Sequence, residues 1–124
     1  MTEPKATSGV SLNLVVIRSA DLERAAAFYT LLGLSFQKHR HGTGPEHLTC
    51  EMGQTVFEIY PRKTETDSTA SVRLGFRVAS VESAIADLQA AGAVIVSPPK
   101  DSPWGRRAVV DDPDGHRVEL TERL

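Results

Sequence analysis

The sequence predicts an α+β protein built from two tandem copies of one β-α-β-β-β unit. Three observations carry this. Short strand-like runs surround two Ala- and Leu-rich amphipathic segments, in the same order in each half. Each amphipathic segment has an oxygen-bearing side chain before it and a glycine after it, Asp21 and Gly33 in one half, Ser80 and Gly92 in the other. The halves also align by number. Asp21, Glu23, Ala25 and Gly33 correspond to Ser80, Glu82, Ala84 and Gly92 at a spacing of 59, and Phe57-Glu58-Ile59 meets Val118-Glu119-Leu120 at 61. Similarity at a fixed period marks duplicated units, and a short insertion between helix and hairpin explains the change of spacing.

Taken in order, Leu12 to Ile17 (LNLVVI) reads as a buried strand. Ser19 to Asp21 offers helix N-cap chemistry, because a side-chain oxygen there can accept an otherwise unpaired backbone N–H. Leu22 to Leu32 follows as a helix, with Leu22, Ala25, Ala26, Tyr29 and Leu32 as its apolar stripe. Gly33 stands where a helix C-terminus favours glycine. Leu34 to Lys38 reads as a strand, Arg40 to Pro45 as a loop, and His47 to Met52 with Thr55 to Tyr60 as a hairpin turning at Gly53-Gln54. The polar stretch RKTETDST reads as a connection. The second half predicts a strand over Val72 to Val78, a helix over Val81 to Ala91 capped by Ser80, and a short strand over Val94 to Val96. A Pro-rich loop from Ser97 to Gly105 precedes a last hairpin, Arg107 to Asp111 and Arg117 to Thr121. The expected organisation is a loose N-terminal tail over residues 1–9, then one domain over 10–124, with module one at 10–62, a linker at 63–70 and module two at 71–124.

A chain of 124 residues, 40% hydrophobic and 24% charged, suits one globular domain. The formal net charge of −2 argues against a nucleic-acid partner, although a local basic cluster could still bind a small anion. No apolar run approaches the roughly 18 residues of a membrane span, and the polar start, Met1 to Gly9, lacks the core of a secretory signal. The single cysteine, Cys50, allows no disulfide within the chain, which fits a reducing cytoplasm. Cys50 shares a face with Leu48 and Met52 and reads as a buried apolar residue. No nucleophilic triad order is legible, and Gly42-Thr43-Gly44 is too short for a phosphate loop.

Two motifs carry a family resemblance. Ala20-Asp21-Leu22-Glu23-Arg24, leading to Phe28-Tyr29 and Leu32-Gly33-Leu34, resembles the first helix of the vicinal oxygen chelate superfamily. Asp112-Pro113-Asp114-Gly115-His116-Arg117-Val118-Glu119-Leu120 resembles its C-terminal hairpin. The superfamily comprises glyoxalases, extradiol dioxygenases and bleomycin-resistance proteins. The resemblance implies two modules whose strands curl into an open, U-shaped mixed sheet, with helices outside and a concave pocket inside. It also implies a homodimer.

Strand alternation assigns the faces. Phe57 and Ile59 oppose Val56, Glu58 and Tyr60; Val118 and Leu120 oppose Arg117, Glu119 and Thr121; Val72, Leu74, Phe76 and Val78 oppose Ser71, Arg73, Gly75 and Arg77. The polar sets should line the concave face. In metal-dependent relatives one side chain from each of four strands holds the ion, and the matching positions here are Leu14, Glu58, Arg73 and Glu119. Leu14 has no donor atom and Arg73 is a permanent cation without a lone pair, whereas such sites take at least three protein ligands. No metal, no other cofactor and no catalytic residue is therefore expected. Arg73 is expected to fill the vacated position and pair with Glu58, Glu119 or both.

The expected ligand-contact set is Leu14, Glu58, Tyr60, Arg73, Trp104, Glu119 and His47. Trp104 could edge the pocket or pack outside it. His39, His41 and His47 lie near the first loop, where histidines are commonly solvated, and His47 suits the rim of a ligand site better than a metal. The resemblance then implies a metal-free protein that sequesters a drug or metabolite, and Tyr60 and Trp104 favour an aromatic or amphipathic ligand. Two other classes are weighed against it. One is a lyase, isomerase, thiol transferase or dioxygenase, metal-dependent or using Glu58 or Glu119 as a base. The other is a structural or regulatory subunit with no small ligand.

Overall fold

A computed structural model describes residues 9–122. The expected N-terminal tail, except Gly9, lies outside them. The elements are β1 (Leu14–Ser19), α1 (Leu22–Leu31), β2 (Gln37–His39), β3 (His47–Met52), β4 (Thr55–Pro61), β5 (Arg73–Val78), α2 (Val81–Ala90), β6 (Val94–Ser102), β7 (Gly105–Asp111) and β8 (Arg117–Glu122). The α+β class and the two tandem β-α-β-β-β modules are as the sequence predicts. Pairing stays within each module. The strands form one sheet in the order β1-β4-β3-β2 and another in the order β5-β8-β7-β6. The expected U-shaped sheet is thus, among the described residues, two four-stranded sheets with no hydrogen-bonded ladder between them.

Local chemistry sets the helix ends alike in both modules. The Asp21 carboxylate accepts the Arg24 N–H, and the Ser80 hydroxyl oxygen accepts that of Ser83. Beyond α1, Gly33 N–H donates to Thr30 and Leu34 N–H to Tyr29; beyond α2, Gly92 N–H donates to Gln89 and Ala93 N–H to Leu88. These are the paired bonds of a Schellman ending, and both glycines have the positive φ it needs, 106° and 90°.

Three strands depart from expectation. β2, expected over Leu34 to Lys38, is only Gln37–His39, because the backbone of Leu34 is still engaged in the ending of α1 through its bond to Tyr29. β1 runs to Ser19 because it pairs in parallel with β4 along its whole length, from Leu14 opposite Val56 to Ser19 opposite Pro61. β6 was expected to end at Val96 but continues through Pro98 and Pro99 to Ser102. It is an edge strand, where a missing proline N–H need not face a neighbour. The register shifts between Ile95 and Ser97 and again between Ser97 and Lys100 absorb the irregularity.

One face of each sheet enters a single core that contains Ile17, Phe57, Ile59, Val110, Val118 and Leu120, with Tyr29 of α1 and Leu88 of α2. Phe57 and Phe76, from different sheets, meet edge to face at 5.8 Å, and Tyr29 touches both rings. The other face of each sheet lies away from this core and from the helices. Each sheet thus has its own open face, bearing the polar set of its strands. Cys50 is buried in the core, as expected.

A buried polar network fastens one module to the other. The Asp112 carboxylate, just after β7, accepts the Tyr29 hydroxyl at 2.6 Å and His116 Nδ1 at 2.9 Å through Oδ2. Its Oδ1 accepts the backbone N–H groups of Asp114 and His116, each at 2.9 Å. His116 Nε2 lies 2.6 Å from the Thr69 hydroxyl, which also accepts the Arg18 N–H from β1. Asp114 accepts the Ala20 N–H at 2.8 Å. Burial alone would raise the Asp112 carboxyl, but hydrogen bonds from His116 and Tyr29 outweigh it and hold the group below its usual range. Burial, with the Asp112 charge adding to it, pushes the Tyr29 phenol well above its usual range.

Removing Asp112 should leave several buried donors unpaired. Asp112→Ala is expected to lose about 3 kcal/mol of stability and Tyr29→Phe about 2 kcal/mol, both read by urea unfolding. Because Asp112 titrates lower in the folded state, its contribution is fully present above the ordinary value of 3.8 and is lost as pH falls through the lower folded value. The urea midpoint should therefore drop on acidification below that value, and drop less in Asp112→Ala.

Candidate functional site

The open face of the first sheet is built in rows across the strands. Arg18 lies opposite Tyr60, and His39 opposite His47. The Tyr60 and His47 rings stack at 4.1 Å with their planes 8° apart, which joins the two halves into one row. The Arg18 guanidinium lies 5.4 Å from the Tyr60 ring centre. His41 and His39 approach His47 at 5.1 and 6.2 Å. This packing buries His47, which is only 1% exposed although it belongs to the polar face. The reading of these histidines as solvated loop residues fails for His47, because Tyr60 supplies a stacking partner that only the folded sheet creates.

Glu58 lies in the next row, opposite Val16 and Thr49. Its Oε2 accepts the Thr49 hydroxyl at 3.0 Å and lies 3.4 Å from His47 Nε2. His47 Nδ1 donates to the Pro45 carbonyl at 3.2 Å, whereas Nε2 is buried without a hydrogen-bond partner. Leu14 and Val16 on β1 complete this face with exposed carbon, at 48% and 38% exposure.

The second sheet repeats the plan with different side chains. Glu119 is the counterpart of Glu58 and lies opposite Gly75 and Val109. Arg107 Nε donates to Glu119 Oε1 at 2.6 Å, and Arg73 Nη2 lies 3.6 Å from Oε2. Hydrogen bonding from Arg107 holds the Glu119 carboxyl below the usual range, with a smaller contribution from Arg73. Arg73 thus meets Glu119, while Glu58 is engaged within its own sheet. The two glutamates are divided between the two open faces, so the expected four-position cluster is not drawn together by contacts among the described residues.

Trp104 sits in the β6–β7 turn and is 74% exposed, which is not the environment of a packing residue. Two clefts lie elsewhere. One runs between the ends of the helices, lined by Arg24, Phe28, Leu31, Leu88 and Asp111 among others; the second lies beside Leu34, Met52 and Phe76. Neither touches any of the seven residues singled out from sequence. Sequence reasoning missed Thr49 and Arg107, the groups that hold Glu58 and Glu119. Their positions on the polar side of strands adjoining those glutamates were the available signal. Among the described residues no helix is long and apolar enough to cross a membrane.

Comparison with known proteins places this arrangement. The family model described as Glyoxalase/Bleomycin resistance protein/Dioxygenase superfamily matches residues 11–120. A protein of uncharacterised function from Mycolicibacterium smegmatis (strain ATCC 700084 / mc(2)155) is 30% identical over 105 residues, covering 85% of this chain and 87% of its relative. Among solved structures, TnmS3, an antibiotic binding protein from Streptomyces sp. CB03234, is 26% identical with a TM-score of 0.76, covering 96% of this chain and 100% of that one. A glyoxalase/bleomycin resistance protein from the same Streptomyces strain is 29% identical with a TM-score of 0.70, covering 90% and 99%. With the duplicated fold and a family match over nearly its whole length, the chain belongs to the glyoxalase/bleomycin resistance protein/dioxygenase superfamily.

Proposed function

We propose that this chain is a metal-free small-molecule-binding protein that sequesters a drug or metabolite against its open faces. The carrying observation is the state of the four positions matched to the metal ligands of the family. Leu14 offers only carbon. Glu119 is taken by Arg107 and Arg73, and Glu58 by Thr49. Among the described residues no three His, Cys, Asp or Glu side chains converge as a metal cage. A divalent ion beside Arg73 would meet a fixed positive charge, and the residues present do not fit one. The similarity to an antibiotic binding protein supports the same reading.

Leu14, Glu58 and Tyr60 form the proposed contact surface on one sheet, with the buried His47 ring supporting Tyr60 by stacking, and Arg73, Glu119 and Trp104 form that on the other. The ligand suited to them is aromatic or amphipathic, since apolar β1 side chains adjoin a stacked Tyr60–His47 pair. Because each open face belongs to a separate sheet, a second copy of the chain would cover a ligand on both sides. β1 and β5 are free sheet edges, and Val10, Leu12, Leu14 and Val16 leave apolar surface beside one of them. A homodimer with pockets between subunits answers both features, and a cytoplasmic setting suits its unpaired Cys50.

Two measurements test this. In a thermal-shift panel, aromatic antibiotics near 100 times their Kd should raise Tm by about 10 °C, and the rise should survive a chelator. Metal bound stoichiometrically to the purified protein, with turnover that a chelator abolishes, would replace the binding role by an enzymatic one. Light scattering should return twice the 13.5 kDa chain mass; a mass of one chain would remove the dimer.

A further inference from the structure

The open face of the second sheet carries a charge pattern that the fold alone does not require. β5 contributes Arg73 and Arg77, β8 Arg117, β7 Arg107, and β6 Lys100 opposite Arg107. Against these five cations the same face holds two carboxylates, Asp111 and Glu119. Asp111 is taken by Arg117 at 3.1 Å, and Glu119 by Arg107 and Arg73. Among the described residues neither Arg77 nor Lys100 forms an ion pair. The whole chain is nonetheless slightly acidic, with a formal charge of −2, so the excess is local.

The register sharpens the point. Arg73 lies directly opposite Arg117, and Lys100 directly opposite Arg107. Like charges facing each other across a sheet destabilise it. One row reads Arg77, Thr121, Arg107, Lys100 across all four strands. The matching row of the first sheet reads Arg18, Tyr60, His47, His39, so in module two cations stand where module one has two imidazoles. At the tip of the hairpin that bears Lys100 and Arg107 stands Trp104, a broad exposed ring.

We propose that the ligand is an organic acid on an aromatic skeleton, its anionic group held by the Arg77–Arg107–Lys100 row and its ring against Trp104. The reading rests on the small-molecule-binding role and narrows its ligand class. Arg107 is fixed by Glu119 and sets the row's geometry, while Arg77 and Lys100 supply charge that no ion pair among the described residues neutralises. A carboxylate, sulfonate or phosphate on the ring would each complete the row, and a neutral analogue of the same shape would not.

The test uses two dyes of one skeleton, anilinonaphthalene sulfonate and neutral N-phenylnaphthylamine, read by energy transfer from Trp104, the sole tryptophan. The sulfonate should bind at least about tenfold more tightly, and the gap should shrink with added salt as charges are screened. Arg77→Gln and Lys100→Gln should each weaken the sulfonate about two- to fivefold, leave the neutral dye within about twofold, and not lower Tm, since Arg77 faces the neutral Thr121 and loss of the Lys100 charge relieves its repulsion with Arg107. Equal affinity for the two dyes would overturn the acid and leave the binding role standing. Loss of dimer mass in Arg77→Gln, with sulfonate affinity unchanged, would assign the row to the subunit interface instead. If neither dye binds and no antibiotic shifts Tm, the binding role falls with it.

Discussion

The buried carboxylate of Asp112 is the constraint on which the arrangement of the two modules depends. It sits in the turn that follows β7 yet accepts its shortest hydrogen bond from Tyr29, in the helix of the other module. A carboxylate removed from water demands such donors, because an unpaired buried charge is far more costly than the bonds that satisfy it. Four donors meet that demand, and one of them, Tyr29, also anchors the aromatic contacts with Phe57 and Phe76. One side chain thus couples the polar and the apolar parts of the junction. The Asp-Pro-Asp-Gly-His segment that carries the family resemblance is, physically, the clamp between modules.

With that junction holding both apolar faces in one core, the polar faces are left open. The duplication then acts twice. It places Glu58 and Glu119 at equivalent positions, each beside a nitrogen-bearing side chain one row along the neighbouring strand, His47 or Arg107. It also leaves each module free to vary the rest. Module one stacks Tyr60 and His47 into a buried aromatic pair beside exposed Leu14 and Val16, while module two presents arginines. The two open faces share a backbone plan and differ in chemistry, which suits a ligand with unlike parts better than a symmetric ion cage.

Much of this was legible without coordinates. Helix caps and Schellman glycines depend on residues a few positions apart, and the period of two along a strand sorts Phe57 from Glu58 and Leu120 from Glu119. Hence the element order, the duplicated unit and the open-face residues follow from sequence. β6 was truncated in that reading because Pro98 and Pro99 argue against a strand, and nothing local reveals that β6 is an edge, where they are tolerated. His47, expected at the rim of a ligand site, is instead buried, because its cover, Tyr60, lies on another strand.

What the sequence by itself determined is the repeated α+β unit, the carbon and guanidinium at two of the four family ligand positions, and the polar side of each strand. Only the tertiary structure decided which charges meet. Arg73 reaches Glu119 while Glu58 turns to Thr49, because pairing across a sheet depends on register and on which module supplies the neighbour. It likewise decided that Asp112 would be buried against Tyr29, 83 residues away. Alternation and capping are short-range and written in order along the chain; the partner of a buried charge is set by where distant segments pack.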